Sequence, residues 1–205
     1  MHKISIFKSK NDLNINFDKS PYITVITGIP GGGKSYLANL LSKKFDQPII
    51  SFDFLFDYEN RKMNKIEKQI ISNFLKKYPN YSNFENNRNN EEIICNLFFD
   101  YIIKYINKNN IHVIVESAYF FKYIDINKII DYKIIIKRTS LLRSFYNENK
   151  RDVLRQWKNK DLSLIKKIIR SFKIPLISLL NIKLLINNYK NINIYINKLC
   201  NTINI

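Results

Sequence analysis

One stretch decides the fold of this chain: Tyr22-Ile-Thr-Val-Ile-Thr-Gly-Ile-Pro-Gly-Gly-Gly-Lys-Ser-Tyr-Leu-Ala-Asn-Leu-Leu41. A β-branched apolar run, which predicts a strand, ends at Gly28, and a run with helical apolar spacing begins at Lys34. Between them lies G-x-x-x-x-G-K-S, the pattern of a phosphate-binding loop in the strand–loop–helix context that its mechanism needs. The chain has only four glycines, all in this loop. They indicate that the backbone there wraps closely around a ligand.

This loop predicts a nucleoside triphosphate site. Successive N–H groups of the loop and of the helix N-terminus form an anion cradle. In such a loop Lys34 reaches the β- and γ-phosphates, and the Ser35 hydroxyl takes a place on Mg²⁺. A plain glycine-rich turn beside a lysine would not explain the strand, the spacing and the helix together. We therefore expect ATP and Mg²⁺ as cofactors, bound by Gly28, Ile29, Pro30, Gly31, Gly32, Gly33, Lys34, Ser35 and Tyr36.

Length and composition predict one α/β domain over residues 1–205. The length allows one well-buried core and is short for two domains. No window approaches the roughly 18 apolar residues of a membrane span, and the first ten residues do not resemble a signal peptide. The two cysteines, Cys95 and Cys200, lack metal-ligand spacing. We expect two buried free thiols, no membrane partner and a cytoplasmic protein.

The net charge of +17 raises the question of nucleic-acid binding. Only seven of the 34 basic residues are arginine, and the lysines are scattered among an excess of Asn, Ile, Tyr and Phe. A/T-rich codons encode these residues, so base composition explains much of the charge. We therefore expect a lysine-rich solvated surface with weak, non-specific nucleic-acid binding rather than a dedicated groove.

Apolar runs along the chain predict a mostly parallel core sheet of five strands with helices on both faces. The strands are expected at 22–27, 49–52, 111–116, 131–138 and 182–187. Weak alternation over residues 3–20 predicts one or two further edge strands before the loop strand. Helices are expected at 34–45, 59–77, 91–106, 162–172 and 192–203, and after the fourth strand, with a break at Pro175.

Two acidic residues stand where predicted strands end. Asp53 follows the second core strand, the position at which open α/β sheets place ligand groups. A helix N-cap is the alternative role for Asp53. Glu116 ends the third core strand, where an acid commonly reaches the Mg²⁺ water shell or the substrate. We predict Ser35 and Glu116 as the metal site and Asp53 as part of the acceptor site.

Two segments are candidates for the moving or variable parts of such a site. Residues 138–160 carry Arg143 and Arg151 just past a core strand, which suits a lid over phosphates because guanidinium forks match phosphate oxygens. A solvated basic helix face is the alternative. Residues 58–92 include an asparagine-rich connection over 78–90, which either borders an acceptor pocket or is disordered.

Taken in order, these motifs resemble P-loop kinases of the uridine kinase and phosphoribulokinase group, with dephospho-CoA kinase as a near relation. The resemblance covers most of the chain from Tyr22 onward. Four features carry it: the loop from Gly28 to Ser35, Ile-Ser-Phe-Asp53 followed by aromatics, Ile-Val-Glu116, and Arg143 followed by Arg151-Asp152. Ser117 replaces a family glycine, and Tyr146-Asn147 stand where a second lid arginine pair is found. Kinase chemistry is therefore better supported than uridine specificity.

The resemblance implies a three-layer P-loop NTPase fold and a phosphotransferase that moves the γ-phosphoryl group of ATP to a hydroxyl of a small molecule, with nucleosides among the candidates. Lys34, Asp53, Arg143 and Arg151 would be the catalytic residues. A P-loop ATPase or nucleotide switch in DNA processing stays open, as does a polynucleotide 5′-hydroxyl kinase that would use the positive charge. No aromatic-plus-basic pattern for stacking single strands stands out from the composition.

Overall fold

The computed structural model describes residues 4–7, 23–56, 63–82, 87, 89–129, 132–137, 141–158, 162–180 and 182–203. These residues form an α/β fold in which a parallel sheet is flanked by helices. The order across the sheet is β1-β5-β2-β4-β3, and every neighbouring pair is parallel. The strands are β1 Ile4–Phe7, β2 Ile23–Thr27, β3 Ile49–Ser51, β4 Val113–Ser117 and β5 Lys133–Lys137.

Seven helices connect and follow these strands in the described part of the chain. They are α1 Lys34–Phe45, α2 Lys65–Lys77, α3 Glu91–Asn109, α4 Phe120–Tyr123, α5 Leu141–Lys158, α6 Leu164–Leu180 and α7 Ile182–Ile203. Short 3₁₀ turns occupy Phe52–Leu55, Pro79–Tyr81 and Ile126–Lys128. None of the described helices combines the length and apolarity that crossing a membrane requires.

Apolar side chains cover both faces of the sheet, as parallel strands require. On one face Ile26, Ile114 and Ile135 pack against α1 through Leu37 and Leu41. The alternate strand residues face a larger cluster that α2, α3, α4 and α7 build. That cluster includes Val25, Ile50, Val115, Ile134, Ile70, Phe74, Phe98, Phe120 and Ile192. The core therefore has helices on both sides of the sheet.

The arrangement of β2 and β4 creates a crevice at their carboxyl ends. The two strands are neighbours, but the chain leaves β2 for α1 on one face and leaves β4 for α4 on the other. In open parallel sheets, ligands bind in the crevice at such a switch in direction.

Helix α2 fixes the end of β3. Asn64 caps α2 by accepting a hydrogen bond from the Glu67 N–H at 2.8 Å, and its Nδ2 donates to the Ile49 carbonyl at 2.7 Å. The buried Glu67 carboxylate accepts from the Ser51 N–H at 2.8 Å. Because these bonds hold Ile49 and Ser51, they set the position of the turn that carries Asp53.

Four of the five predicted core strands are confirmed, and the fifth is wrong. Residues 182–187 are the start of α7, whose buried Ile192, Tyr195 and Ile196 follow helical spacing. The remaining strand of the sheet is β1 at the edge beside β5, within the region where edge strands were expected. The further edge pattern over 13–17 lies outside the described residues.

Some helix limits also differ from prediction. Helix α6 continues through Pro175 to Leu180 instead of ending there, and α2 begins at Lys65 rather than near residue 59.

Cys95 is a buried free thiol, as expected. Burial raises the pKa of this thiol, which keeps it protonated and unreactive. The side chain of Cys200 lies outside the described residues.

Candidate active site

The loop between β2 and α1 turns at two glycines. Gly31 has a φ of 69° and Gly33 a φ of 86°, a region that residues with side chains rarely adopt. The Gly32 N–H donates to the Ile29 carbonyl at 3.1 Å. Gly33 is the N-cap of α1, and no described side chain caps this end of the helix. The first N–H groups of α1 therefore face the loop, an arrangement that favours an anion.

Ser35 and Glu116 meet at the crevice between β2 and β4, and Lys34 precedes Ser35 in the loop. The Lys34 ammonium donates to the Ile29 carbonyl at 3.1 Å, so its side chain lies along the loop. The Ser35 hydroxyl oxygen is 3.1 Å from each carboxylate oxygen of Glu116. Glu116 is only 1% exposed. The structure thus brings together the two residues that the sequence predicted as a metal site.

The chemistry of this pair fits Mg²⁺ that arrives with a ligand. Hydroxyl and carboxylate oxygens are ligands that Mg²⁺ prefers. Within the described ranges, no group of three or more His, Cys, Asp or Glu side chains is placed to hold a metal. Mg²⁺ commonly uses one or two carboxylates and completes its shell with waters and substrate phosphates. Ser35 and Glu116 therefore fit a shared site rather than a metal cage built by the protein alone.

Asp53 lies in the 3₁₀ turn directly after β3, and its side chain is exposed. The N-cap of this turn is Ser51, whose hydroxyl oxygen accepts from the Asp53 N–H at 3.4 Å. The alternative role of Asp53 as a helix N-cap is therefore wrong. Its carboxylate instead lines the cavity that the loop and Lys34 also line.

That cavity has a volume of about 570 Å³ and gathers residues from six parts of the chain. The loop and the start of α1 form one side, and α5 lies over them. Asp53 and the segment after β4 form the other side, with Glu91 from the start of α3. The lining residues are Pro30, Gly31, Gly33, Lys34, Ser35, Tyr36, Asp53, Glu91, Ala118, Tyr119, Phe121, Lys122, Asn147, Arg151 and Asn188.

The wall opposite the loop is aromatic and charged. The Tyr119 ring packs on Phe56 at 4.8 Å between centroids and stacks on Tyr123 at 5.8 Å. Lys122 forms an ion pair with Glu91 at 3.2 Å, and the Tyr123 hydroxyl donates to the same carboxylate. Burial raises the pKa of Tyr119, and the nearby Glu91 and Asp53 carboxylates raise it further. Its hydroxyl therefore stays a protonated donor beside two acids.

Of the two predicted lid arginines, the structure brings one to the cavity. Arg151 lines it, and its Nε donates to Asp152 at 3.2 Å. Arg143 lies two turns earlier on α5, is exposed, and is not among the lining residues. From the described part of the predicted insert over 58–92, only Glu91 reaches this cavity, while α2 packs into the core.

Helix α5 rests directly on the loop through Ser144 and Asn147, in contacts that the sequence did not predict. The buried Ser144 hydroxyl donates to the Pro30 carbonyl, and Asn147 Nδ2 donates to the Gly31 carbonyl at 3.2 Å. A Cβ on Gly31 would collide with the Ser144 backbone. These two hydrogen bonds join residues 114 and 116 positions apart, so no local sequence pattern predicts them and only the folded chain reveals them.

No family model matches this chain, and a search of curated proteins found no significant match.

Proposed function

We propose that this chain is an ATP-dependent phosphotransferase of the P-loop kinase type, which moves the γ-phosphoryl group to an acceptor hydroxyl. One observation carries the proposal: the glycine loop with Lys34 and Ser35, the strand-end Asp53 and Arg151 all line a single cavity. Phosphoryl transfer needs positioning and charge neutralisation more than covalent chemistry. The cavity offers the N–H groups of the loop, the cations Lys34 and Arg151, and the carboxylate of Asp53.

The loop side would bind the triphosphate. Its N–H groups and the N-terminus of α1 favour anionic oxygens, and the Lys34 ammonium, which donates to the Ile29 carbonyl, lies along the same loop to contact them. Mg²⁺ held by Ser35 and Glu116 would neutralise charge on the phosphates during transfer. Arg151 would stabilise the charge that develops on the transferred group.

The opposite side would hold the acceptor. Asp53 is exposed to the cavity, so its carboxylate can accept a hydrogen bond from an acceptor hydroxyl and hold that oxygen in line with the γ-phosphorus. It can also take the hydroxyl proton as transfer proceeds. Tyr119, Glu91 and Lys122 form the wall beside it. An ATPase would need no such wall, which favours a kinase over a nucleotide switch.

The test measures transfer of the labelled γ-phosphoryl group from ATP to nucleosides, sugars, cofactor precursors and 5′-hydroxyl oligonucleotides. Release of labelled phosphate into water measures ATPase activity. Asp53→Asn is expected to keep ATP affinity and to lower transfer by about 10²–10⁴-fold. Asp46→Asn is the matched control, because Asp46 is exposed at the end of α1 and does not line the cavity. Full transfer by Asp53→Asn, or joint loss of ATP binding and transfer, would remove Asp53 from the acceptor site.

A further inference from the structure

Helix α5 exposes aromatic and basic side chains along one side. Tyr146, Lys150 and Trp157 stand at i, i+4 and i+11, which places them in one stripe of the helix. Tyr146 is 62% exposed, and Trp157, the only tryptophan of the chain, is 45% exposed. The Lys150 ammonium lies 6.0 Å from the centre of the Tyr146 ring. Exposed rings between cations suit a ligand with both flat and anionic parts.

The adjoining stripe of α5 lines a groove of about 390 Å³. Among the described residues its lining consists of Asn147, Lys150, Arg151, Leu154 and Lys158, and none of these five carries a carboxylate. Asp152 pairs with Arg151 at 3.2 Å, and the sequence of α5 holds five basic residues against two acidic ones. The groove is therefore positively charged along its length.

This groove is continuous with the candidate active site. Asn147 and Arg151 line both the groove and the cavity that contains the loop and Asp53. Asn147 is held in place by its hydrogen bond to the Gly31 carbonyl at 3.2 Å. A long ligand lying in the groove can therefore extend past Arg151 into the cavity.

We infer that the α5 groove binds single-stranded nucleic acid, and that the end of the strand enters the cavity and supplies the acceptor hydroxyl. Backbone phosphates pair with Lys150 and Lys158, while bases stack on Tyr146 and Trp157, and Arg151 remains at the opening into the cavity. This inference depends on the proposed function and specifies its acceptor. In the transfer step the terminal hydroxyl oxygen bonds to the γ-phosphorus and the bond to the bridging oxygen breaks. The electron pair of that bond leaves on ADP, and the hydroxyl proton goes to Asp53.

Other occupants of the groove fit less well. A second copy of the chain would bring the same positive helix, and like charges repel. A flat anionic lipid surface can cover a helix face but does not extend through a groove into a cavity. Duplex nucleic acid keeps its bases stacked inside, which leaves Tyr146 and Trp157 without partners. Only a flexible polyanion with accessible rings uses the cations, the aromatic rings and the opening into the cavity.

Binding is measured by fluorescence anisotropy of a mixed-sequence 5′-hydroxyl single-stranded oligodeoxynucleotide over a range of salt concentrations. Trp157→Ala is expected to weaken binding roughly 5- to 100-fold, the effect of losing one stacked base. Trp157→Phe keeps an aromatic face and is expected to recover most of the affinity. Lys158→Glu is expected to weaken binding and to lower the salt slope by about 0.7 for each phosphate that the protein no longer neutralises. Lys43→Glu, the same change at the exposed far end of α1, is the matched control and is expected to keep the parent affinity.

Three results would overturn the groove assignment. The first is unchanged affinity in Trp157→Ala, and the second is an equal loss in Lys43→Glu and Lys158→Glu. The third is a Trp157→Ala defect confined to duplex DNA or to phosphatidylserine vesicles, with single strands bound as before. Circular dichroism on each variant confirms that the helices remain folded.

Transfer of label from ATP separates this inference from the proposed function. Both the inference and the proposed function are supported if the oligonucleotide becomes labelled and if Trp157→Ala lowers that labelling while ATP affinity stays unchanged. In a second outcome, label passes to a small molecule and not to the oligonucleotide, at a rate that Trp157→Ala leaves unchanged. That result overturns nucleic acid as the acceptor and supports the proposed phosphotransferase activity. Absence of transfer to every hydroxyl, with ATP bound, contradicts both.

Discussion

At the scale of single residues, Lys34 carries the positive charge of the loop. Its ammonium lies 3.1 Å from the Ile29 carbonyl, close to where phosphate oxygens would sit in the proposed complex. Lys34→Ala removes a charge-assisted contact worth about 1.5–3 kcal/mol. We expect ATP affinity or turnover to fall at least about tenfold, as measured by isothermal titration and by ADP release. A folded variant with parent affinity and turnover would contradict the phosphate-loop assignment.

The two arginines of α5 provide a matched pair. Arg151 lines the cavity, whereas Arg143 is exposed and does not line it. Arg151→Ala is therefore expected to lower the rate of phosphoryl transfer more than it weakens ATP binding, because its charge acts on the transition state. Arg143→Ala is expected to transfer at close to the parent rate. Single-turnover kinetics check the prediction. Equal transfer rates in both variants would show that the arginines of α5 belong to a solvated basic helix face and not to the active site.

The sequence predicted which side chains come together after the carboxyl ends of neighbouring strands, while their roles stay predictions. Ser35 and Glu116 meet at 3.1 Å, and Asp53 faces the same cavity. They could be anticipated because the carboxyl ends of parallel strands share one edge of the sheet. Ser144 could not, because its partner is a backbone carbonyl 114 residues away in the sequence. Packing of α5 on the loop decides that contact, and spacing alone does not encode it.

At the scale of elements, the contact between α5 and the loop constrains Gly31. Gly31→Ala would place a Cβ against the Ser144 backbone at a φ of 69°, so either the loop or α5 must move. We expect a loss of more than about 1 kcal/mol in the free energy of unfolding. Gly32→Ala is the control, since Gly32 is not among the loop glycines with positive φ. Urea denaturation measures both, and equal stability would show that α5 does not rest on the loop.

The errors in element prediction have a common physical origin. The run from residue 182 is apolar and short, and such a run fits a buried strand or one side of a helix equally well. Continuation of helical spacing to Ile192, Tyr195 and Ile196 decides the question. Likewise, Pro175 removes one backbone donor, yet α6 continues through it to Leu180. At both places the local pattern alone does not decide the element.

At the scale of the whole molecule, burial couples stability to alkaline pH. Burial raises the pKa of Cys95 and of Tyr119 and Tyr195 above their ordinary values of 9.0 and 10.0. The unfolded chain then loses these protons at lower pH than the folded chain does. The stabilising contribution is therefore complete below about pH 9 and is lost as pH rises through the folded values. Below about pH 9 these groups are protonated in both the folded and the unfolded chain, so they do not make the free energy of unfolding depend on pH.

Tyr195 allows this coupling to be measured at one position. Its hydroxyl is buried with no hydrogen-bond partner among the described residues, and burial and the nearby Asp125 raise its pKa. Tyr195→Phe removes an unsatisfied polar atom, so stability at neutral pH should stay the same or rise. The variant should lose less stability than the parent between about pH 8 and pH 11, because one of the titrating groups is gone. Urea midpoints across that range give the comparison, with Tyr146→Phe as the exposed-tyrosine control. If parent and Tyr195→Phe lose stability in parallel, the hydroxyl of Tyr195 is not buried in the folded protein in solution.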